Sequence, residues 1–544
     1  MFFNPHAAIA VVMMFLQTAN PSSFPIQEKE EFQKPEGYRE RMAREGDLLE
    51  LSMTGALERA LKNNLDITLE IYNQEIARQR VIGAEGFYDP VFSLGGTFNS
   101  SKNPVTAGIK GDRIPSEVSE TSNFAPSLRQ NFTNGGSAAL SLNNNRSFTS
   151  NAGSLINPLF GSTFALSVTQ PLLRGFRQTS IERQIKILNL DSRISYVQFH
   201  LRVVQVVQQV QNQYWELVFA LENFETRRKS KELAIIQYES TAERVQSGLL
   251  TPAALTSARA EVAGRDRDLL QAEVQIINAQ NQLKQLLAAD PSEPIWETTI
   301  IPAERPQPKT TSLTYEQALK TALDRRPELE QLRLQTSQND VDRTFYTKEK
   351  KPQANLTASL GSSGRAGYTF QRSSTDATQR ILDTSSPAFG GLTNTLRQAF
   401  GFDFANWGLG LNVQIPIRNR TADAQLDQIS TATRRLNTQL KKTQQGVMAE
   451  VRNAHQIIVT QSKSVEAARL ARELSEQQLE AQTARFEAGL ASYFEVLRYQ
   501  RDLVDAQVRE LRAIVDLQLA TISLQKAMDV LLDENGIVLP PPKY

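Results

Sequence analysis

The chain has no cysteine in 544 residues. That excludes a disulfide framework, a thiolate metal centre and a cysteine nucleophile, and it removes the amino-terminal cysteine that a bacterial lipid anchor requires. Histidine is nearly absent too. His6, His200 and His455 share no metal-ligand spacing, and His200 falls in an apolar seam beside Tyr196 and Val203, where it reads as a packing residue. Charge of one sign is also lacking: 60 basic residues meet 59 acidic ones, so there is no bulk field for nucleic acid. No stretch approaches ~18 consecutive apolar residues, which excludes helical membrane spans. No Walker loop, nucleophile elbow or paired-carboxylate motif stands out, and Gly408 and Gly410 lie within a strand rather than ahead of a helix. The expectation is a protein that is not an enzyme and needs no cofactor or metal.

What is present is one body plan written twice. Residues 51–64 return as residues 313–326, with Ala56, Leu57, Ala60 and Leu61 matched by Ala318, Leu319, Ala322 and Leu323. The offset of 262 still holds where Pro90 meets Pro352. Each copy runs through a short helical segment, two strands and two long helical segments, and finding this repeat decides the architecture. The expected organisation is a signal peptide at 1–19, a flexible leader at 20–46 rich in Pro, Glu and Lys, repeat 1 at 47–290, a linker at 291–312, repeat 2 at 313–533 and a tail at 534–544. The signal segment carries an apolar run at 7–16 but no Lys or Arg before Lys29.

Proline and glycine are missing where helices need them missing. Residues 176–247 contain neither, and residues 417–539 contain no proline. At a rise of ~1.5 Å per residue each long helix reaches about 100 Å. Val203, Val207, Val210, Tyr214, Leu217, Leu221 and Phe224 alternate at spacings of four and three; Leu255, Val262, Leu269, Ile276 and Leu283 recur every seven. Val447, Val451, Ala454 and Ile458, then Val504, Val508, Leu511, Val515 and Ile522, repeat this in the second copy. A sustained 3.5-residue period specifies helices that wrap on partners in a left-handed sense. Both hairpins close alike: Arg244, Gly248, Leu249 and Thr251 match Arg485, Gly489, Leu490 and Ser492. Glycine takes the left-handed conformation that ends a helix, the next leucine is placed to fold back on the last turn, and Thr251 or Ser492 caps the helix that follows.

Strands alternate at period two. Trp407, Leu409, Leu411, Val413 and Ile415 interleave with Gly408, Gly410, Asn412 and Gln414, and Phe164, Leu166 and Val168 interleave with Ala165, Ser167 and Thr169. Further strands follow Pro90 (Phe92, Leu94, Phe98) and Pro352 (Ala354, Leu356, Ala358, Leu360). This makes four strands of a length that crosses a bilayer when tilted. Four strands cannot close a membrane barrel, so several copies must share one. The Ser-, Asn-, Thr- and Gly-rich stretches 100–160 and 362–400 read as long outer loops, the first with a hairpin around Asn134 that extends beyond the membrane or stays flexible.

Taken together, the duplicated Leu/Ala helix, the strand pairs, Gln170-Pro-Leu-Leu-Arg-Gly175 and the two Arg-x-x-x-Gly-Leu tips resemble the TolC-like outer-membrane efflux protein family over about residues 47–533. The resemblance implies a mostly α fold with membrane β: a duplicated strand-strand-long-helix-helix unit, assembled as a homotrimer whose 12-stranded outer-membrane β-barrel is continued by a periplasmic α-helical coiled-coil tunnel. It implies a passive exit duct of a tripartite efflux or type I secretion system in a Gram-negative-type envelope, embedded in outer-membrane lipid. Its other partners would be a periplasmic adaptor (membrane fusion) protein and an inner-membrane transporter of RND, ABC or MFS type. It assigns Arg244, Gly248, Leu249, Thr251, Arg485, Gly489, Leu490 and Ser492 to adaptor docking. It assigns an aperture gate to Phe486, Glu495 and Arg498, where family members carry acidic residues six and nine positions after the second glycine. Three clustered Glu495 carboxylates would repel and raise one another's pKa, and an Arg498 contact to Glu495 would pin the closed state, whereas Ser492 with Glu495 also reads as a plain capping box. The other class in view is a structural coiled-coil stalk or adhesin without a through-channel.

Overall fold

Stretches free of Gly and Pro fold into helices as long as their composition permits. The computed structural model describes residues 32–104, 116–151, 153–307, 313–372 and 380–541. The expected signal peptide lies outside them, as do 105–115 and 373–379 of the expected outer loops and 308–312 of the expected linker. The first half of the chain runs α1 (Tyr38–Glu45), β1 (Leu48–Leu51), α2 (Met53–Asn63), α3 (Leu65–Glu85), β2 (Val91–Pro104), β3 (Ser116–Asn131), β4 (Ser137–Thr149), β5 (Ile156–Pro171), α4 (Ser180–Gln246) and α5 (Pro252–Leu287). The second half runs β6 (Thr299–Pro302), α6 (Tyr315–Arg325), α7 (Pro327–Glu349), β7 (Gln353–Arg372), β8 (Arg380–Leu382), α8 (Leu392–Gly401), β9 (Ala405–Gln414), α9 (Arg420–Glu487), α10 (Tyr493–Ala527) and α11 (Leu531–Glu534). Helices α2, α3, α4 and α5 recur as α6, α7, α9 and α10, and β2 and β5 recur as β7 and β9.

The heptad seams are the buried faces. Val203, Val207, Val210, Tyr214, Leu217 and Phe224 of α4 are all buried, as are Val262, Leu269, Ile276 and Leu283 of α5; each such side chain contributes about 1.5–3 kcal/mol by leaving water. Helix α4 packs between α5 and α10, and α10 packs on α9. The shorter helices extend these rods end to end. Asn64 donates from Nδ2 to Leu286 O at 3.1 Å where α5 stops, and its Oδ1 accepts from the first N–H groups of α3. Its repeat counterpart Arg326 donates from Nε to Ala527 O at 2.8 Å where α10 stops and α7 starts, and pairs with Glu450 and Glu328. Each residue satisfies a carbonyl that a helix end leaves bare. One chain thus makes four rods: α4, α9, α5 with α3, and α10 with α7.

The sheet corrects the expected strand count. Six long antiparallel strands lie in the order β2-β3-β4-β5-β7-β9, with short β8 on the far end of β7. The segment read as an outer loop is a full-length hairpin, β3–β4, seated between β2 and β5 in unbroken register from Val91↔Arg129 and Ser137↔Thr169. Four strands per chain do not hold. Nor does the hairpin's turn lie at the end of the sheet away from the helices. Residues 132–136 lie at the helical end, where Arg177 N–H donates to Asn134 O at 3.1 Å. Gly135 has φ +88°, and a Cβ there would sit 2.2 Å from Gly175 O, so no side chain fits. The alternation is faint in these two strands because Glu120, Asn144 and Arg146 interrupt the apolar face, and a barrel strand gives a weak signal to begin with.

Beside the middle of the long helices a second, two-stranded sheet packs on the rods. Strands β1 and β6 pair in parallel, Leu48↔Thr299, over a core that includes Tyr214, Leu287, Ile300 and Leu531. Tyr214 donates to Leu51 O at 3.1 Å and contacts Glu304. The ammonium of Lys284 reaches Trp296 O at 2.8 Å, and burial pushes its pKa down against the opposing pull of Glu297. Residues 32–46, expected as a flexible leader, are packed instead. Tyr38 is buried edge-on against Phe224, and Phe32 meets Tyr238 with ring centres 4.9 Å apart. Two aromatic anchors within a charged segment hold it, and bulk composition hides them.

Candidate docking tips and duct wall

The sheet register sorts side chains into two faces. Trp407, Leu409 and Leu411 share one face with Leu360, Leu166, Leu140, Leu128 and Phe92 across the paired strands. Trp407 is 81% exposed and Leu409 69%. An apolar surface of this extent requires a cover other than water. The opposite face carries Ser93, Thr97, Ser127, Ser141, Thr163, Ser167, Thr357 and Ser359, most of it small or polar. A sheet with one apolar and one polar face, built from strands of this length, is suited to separate lipid from water.

At the far ends of the long helices, the two tips have the same backbone. Gly248 (φ +76°) and Gly489 (φ +72°) take the left-handed conformation. Leu249 N–H donates to Arg244 O and Leu490 N–H to Arg485 O, both at 2.8 Å, while Gly248 and Gly489 N–H groups donate to Val245 O and Phe486 O at 3.0 Å. This double closure is the Schellman pattern. The leucines depart from the expected arrangement: they do not fold back on the last turn, and Leu249 stands 75% exposed and Leu490 81%. Thr251 and Ser492 both occupy N-cap positions. Ser492 N–H donates to Glu495 at 3.1 Å, and Pro252 fills the first position of α5, where the Thr251 side chain makes no cap bond.

The three residues expected at a gate have distinct surroundings. The Arg244 guanidinium lies over the Phe486 ring at 5.4 Å, tying one tip to the other within the chain. Glu495 accepts from Gln482 at 2.9 Å as well as from Ser492, as a capping box requires. Arg498 turns to Asp502, at 4.0 Å, and lies over Tyr499. Sequence reasoning missed Phe494, which is 73% exposed beside the second tip; an aromatic two positions after a helix N-cap was the available signal. With Leu249 and Leu490 it gives the tips an apolar surface. His200 pairs with Asp529 at 3.4 Å, and His455 contacts Leu313 O at 3.2 Å. No group of metal-ligating side chains occurs among the described residues, and no described helix is long and apolar enough to cross a membrane.

Residues 318–529 match the outer membrane efflux protein family. No curated protein matches the chain by sequence. Among solved structures, the chain is similar to the Campylobacter jejuni CmeC outer membrane channel at 16% identity, over 88% of this chain and 86% of that one, with a TM-score of 0.61. It is similar to the open state of the Neisseria gonorrhoeae MtrE outer membrane channel at 15% identity, over 88% and 89%, with a TM-score of 0.58. It is also similar to the outer membrane protein VceC of Vibrio cholerae at 16% identity, over 89% and 96%, with a TM-score of 0.57. At these identities the likeness is one of fold.

Proposed function

We propose, from the match of residues 318–529 to the outer membrane efflux protein family, that three copies close into a passive exit duct across the outer membrane of a Gram-negative-type cell. The rods extend into the periplasm, and their tips dock on a periplasmic adaptor above an inner-membrane transporter of RND, ABC or MFS type. The duct is not an enzyme; its partners supply the energy.

One observation carries this reading: the chain is unfinished along both sides. Among the described residues, strands β2 and β9 each leave one edge unpaired, and the outer rods on the same two sides carry exposed apolar side chains, Leu69, Tyr72 and Ile76 on α3 with Leu270 and Val274 on α5 on one side and Ile457, Leu470 and Leu474 on α9 on the other. Strand edges cannot face lipid unpaired. A ring in which β9 and α9 of one copy meet β2 and the α3–α5 rod of the next covers these surfaces with the same contact. A coiled-coil stalk would need neither an apolar sheet face nor a polar one behind it.

Six long strands from each of three chains make eighteen. At about 4.8 Å between strands and a tilt of about 40°, eighteen strands give a wall about 36 Å across, against about 24 Å for twelve. Twelve rods about 9 Å apart give a ring about 34 Å across. The inserted hairpin therefore matches barrel to tunnel, and the duct keeps one calibre. We expect electron cryo-microscopy of the assembly in nanodiscs to resolve eighteen strands. Removing residues 105–150 and joining β2 to β5 by a short loop, which keeps that pair antiparallel, should leave twelve in a narrower barrel. A monomeric, water-soluble protein would end the proposal, and a twelve-stranded parent assembly would end the calibre argument. Phe486, Glu495 and Arg498 keep the role of an aperture at the tip end in this reading, with the Glu495 capping bonds as its resting arrangement.

A further inference from the structure

The duct account leaves α8 without a task. This ten-residue helix lies across the apolar face of the sheet, outside the wall, and not across the polar face that would line the bore. Its attachment is specific. Thr395 is fully buried, with Oγ1 2.7 Å from Ser162 Oγ, and Ser162 in turn donates to Asn144 Oδ1 at 2.8 Å. Gly364 allows the approach, because a Cβ there would stand 2.0 Å from Thr395 O. Gln398 Oε1 accepts from Arg365 N–H at 2.8 Å, which satisfies the edge of β7 past the end of β9. With Thr395 and Ala399 turned inward, Leu392 and Phe400 fall on one flank at helical spacing and stay exposed, while Asn394 and Gln398 take the other flank and Arg397 points away from the sheet.

Phe400 and Phe402 both contact Phe164, with ring centres 5.7 and 5.9 Å apart. Phe164 lies in the row directly beyond Leu166 and Trp407, so the apolar flank of α8 continues the apolar band without a gap, and Phe404, 59% exposed, connects it to β9. We propose that α8 is an interfacial helix lying along the outer leaflet of the membrane, with Leu392, Phe400, Phe402 and Phe404 among acyl chains and Arg397 at the level of the lipid phosphates. Continuity with the band selects lipid as the occupant. An amphipathic helix in the plane of the interface buries its apolar flank at headgroup depth, and aromatic residues at the rim of a barrel's apolar band favour the same level. By fastening this helix to β5 and β7, the buried hydroxyl pair gives the wall a fixed depth in the membrane.

The proposal rests on the duct reading, and its test separates the two. Because the chain has no cysteine, Phe400→Cys, Phe404→Cys, Asn394→Cys and Leu409→Cys each give one site for a nitroxide label on the full-length assembly in phospholipid vesicles. Collision with oxygen but not with a water-soluble nickel chelate marks lipid. Labels at 400 and 404 are expected to show an oxygen-to-nickel ratio several-fold above that at 394 and close to that at 409. Free collision with nickel at 400 and 404 while 409 stays in lipid overturns the interfacial helix and leaves the barrel intact. Shielding from both reagents means that protein covers the helix, which also overturns it. Nickel access at 409 overturns the duct itself. Two labelled positions on the apolar flank keep the result independent of one variant's folding.

Discussion

Export is expected to fall to background when Leu249 and Leu490 are both replaced by glutamate, while the assembly should form and melt as before. The backbone of each tip is closed by N–H donors to Arg244 O and Arg485 O, bonds that do not involve the leucine side chains. With side chains 75% and 81% exposed, the substitutions cost the isolated protein almost nothing. At a docking surface the effect reverses. A leucine pressed into a partner's groove is a hot-spot position, and a carboxylate there loses the apolar contact and buries an unpaired charge, so a loss of about 2–4 kcal/mol per site lowers adaptor affinity at least 30-fold. Phe494→Glu should act in the same direction. The measurement pairs a reporter-substrate export assay with co-purification of the adaptor and a size determination of the assembly. Undiminished export, or loss of the assembly itself, would remove the docking role.

A second large effect is expected at the rod junction. Arg326 is buried, donates to Ala527 O at 2.8 Å and holds Glu450 and Glu328. Arg326→Ala removes a charged cap from a helix C-terminus and leaves a cavity between α10 and α7. Because both carboxylates are partly exposed and recover water, the cost is about 2–4 kcal/mol rather than that of a fully buried pair. Lysine should not restore it, since one ammonium cannot reproduce the planar fork. At the equivalent site Asn64→Ala loses a neutral cap, worth about 1 kcal/mol. Thermal unfolding of the detergent-solubilised assembly should therefore rank wild type, Asn64→Ala and Arg326→Ala in falling order, and Arg326→Ala unfolding no earlier than Asn64→Ala would show that the junction bears no stability.

The parts of the fold that were legible in the sequence are those with a long period or a sharp punctuation. Heptad seams such as Val262, Leu269, Ile276 and Leu283 announced buried helix faces, and the glycines at 248 and 489 announced left-handed turns. The tips were legible in position but not in orientation, because a leucine after such a glycine has two places to go and only the tertiary surroundings decide. Strands β3 and β4 were misread since their apolar residues are few, separated by Glu120, Asn144 and Arg146, and backed by serines and asparagines on the polar face that resemble loop composition. The end-to-end junctions escaped notice for a different reason. They join residues more than 200 apart in sequence, Asn64 with Leu286 and Arg326 with Ala527, and no local pattern encodes such a meeting. Tyr38 and Phe32, the anchors of the packed leader, were visible as residues but outnumbered by their charged neighbours.

The bare margins of β2 and β9 have a consequence for biogenesis. In the proposed duct, a newly made copy would cross an aqueous compartment with two strand edges that are unpaired among the described residues and a hydrophobic panel, and either edge would template pairing with an extended peptide it meets. Holding factors that mask those edges, and rapid encounter between sister copies, become requirements of the cell's supply line. A shortage of either should surface as aggregated precursor before it surfaces as a missing pore.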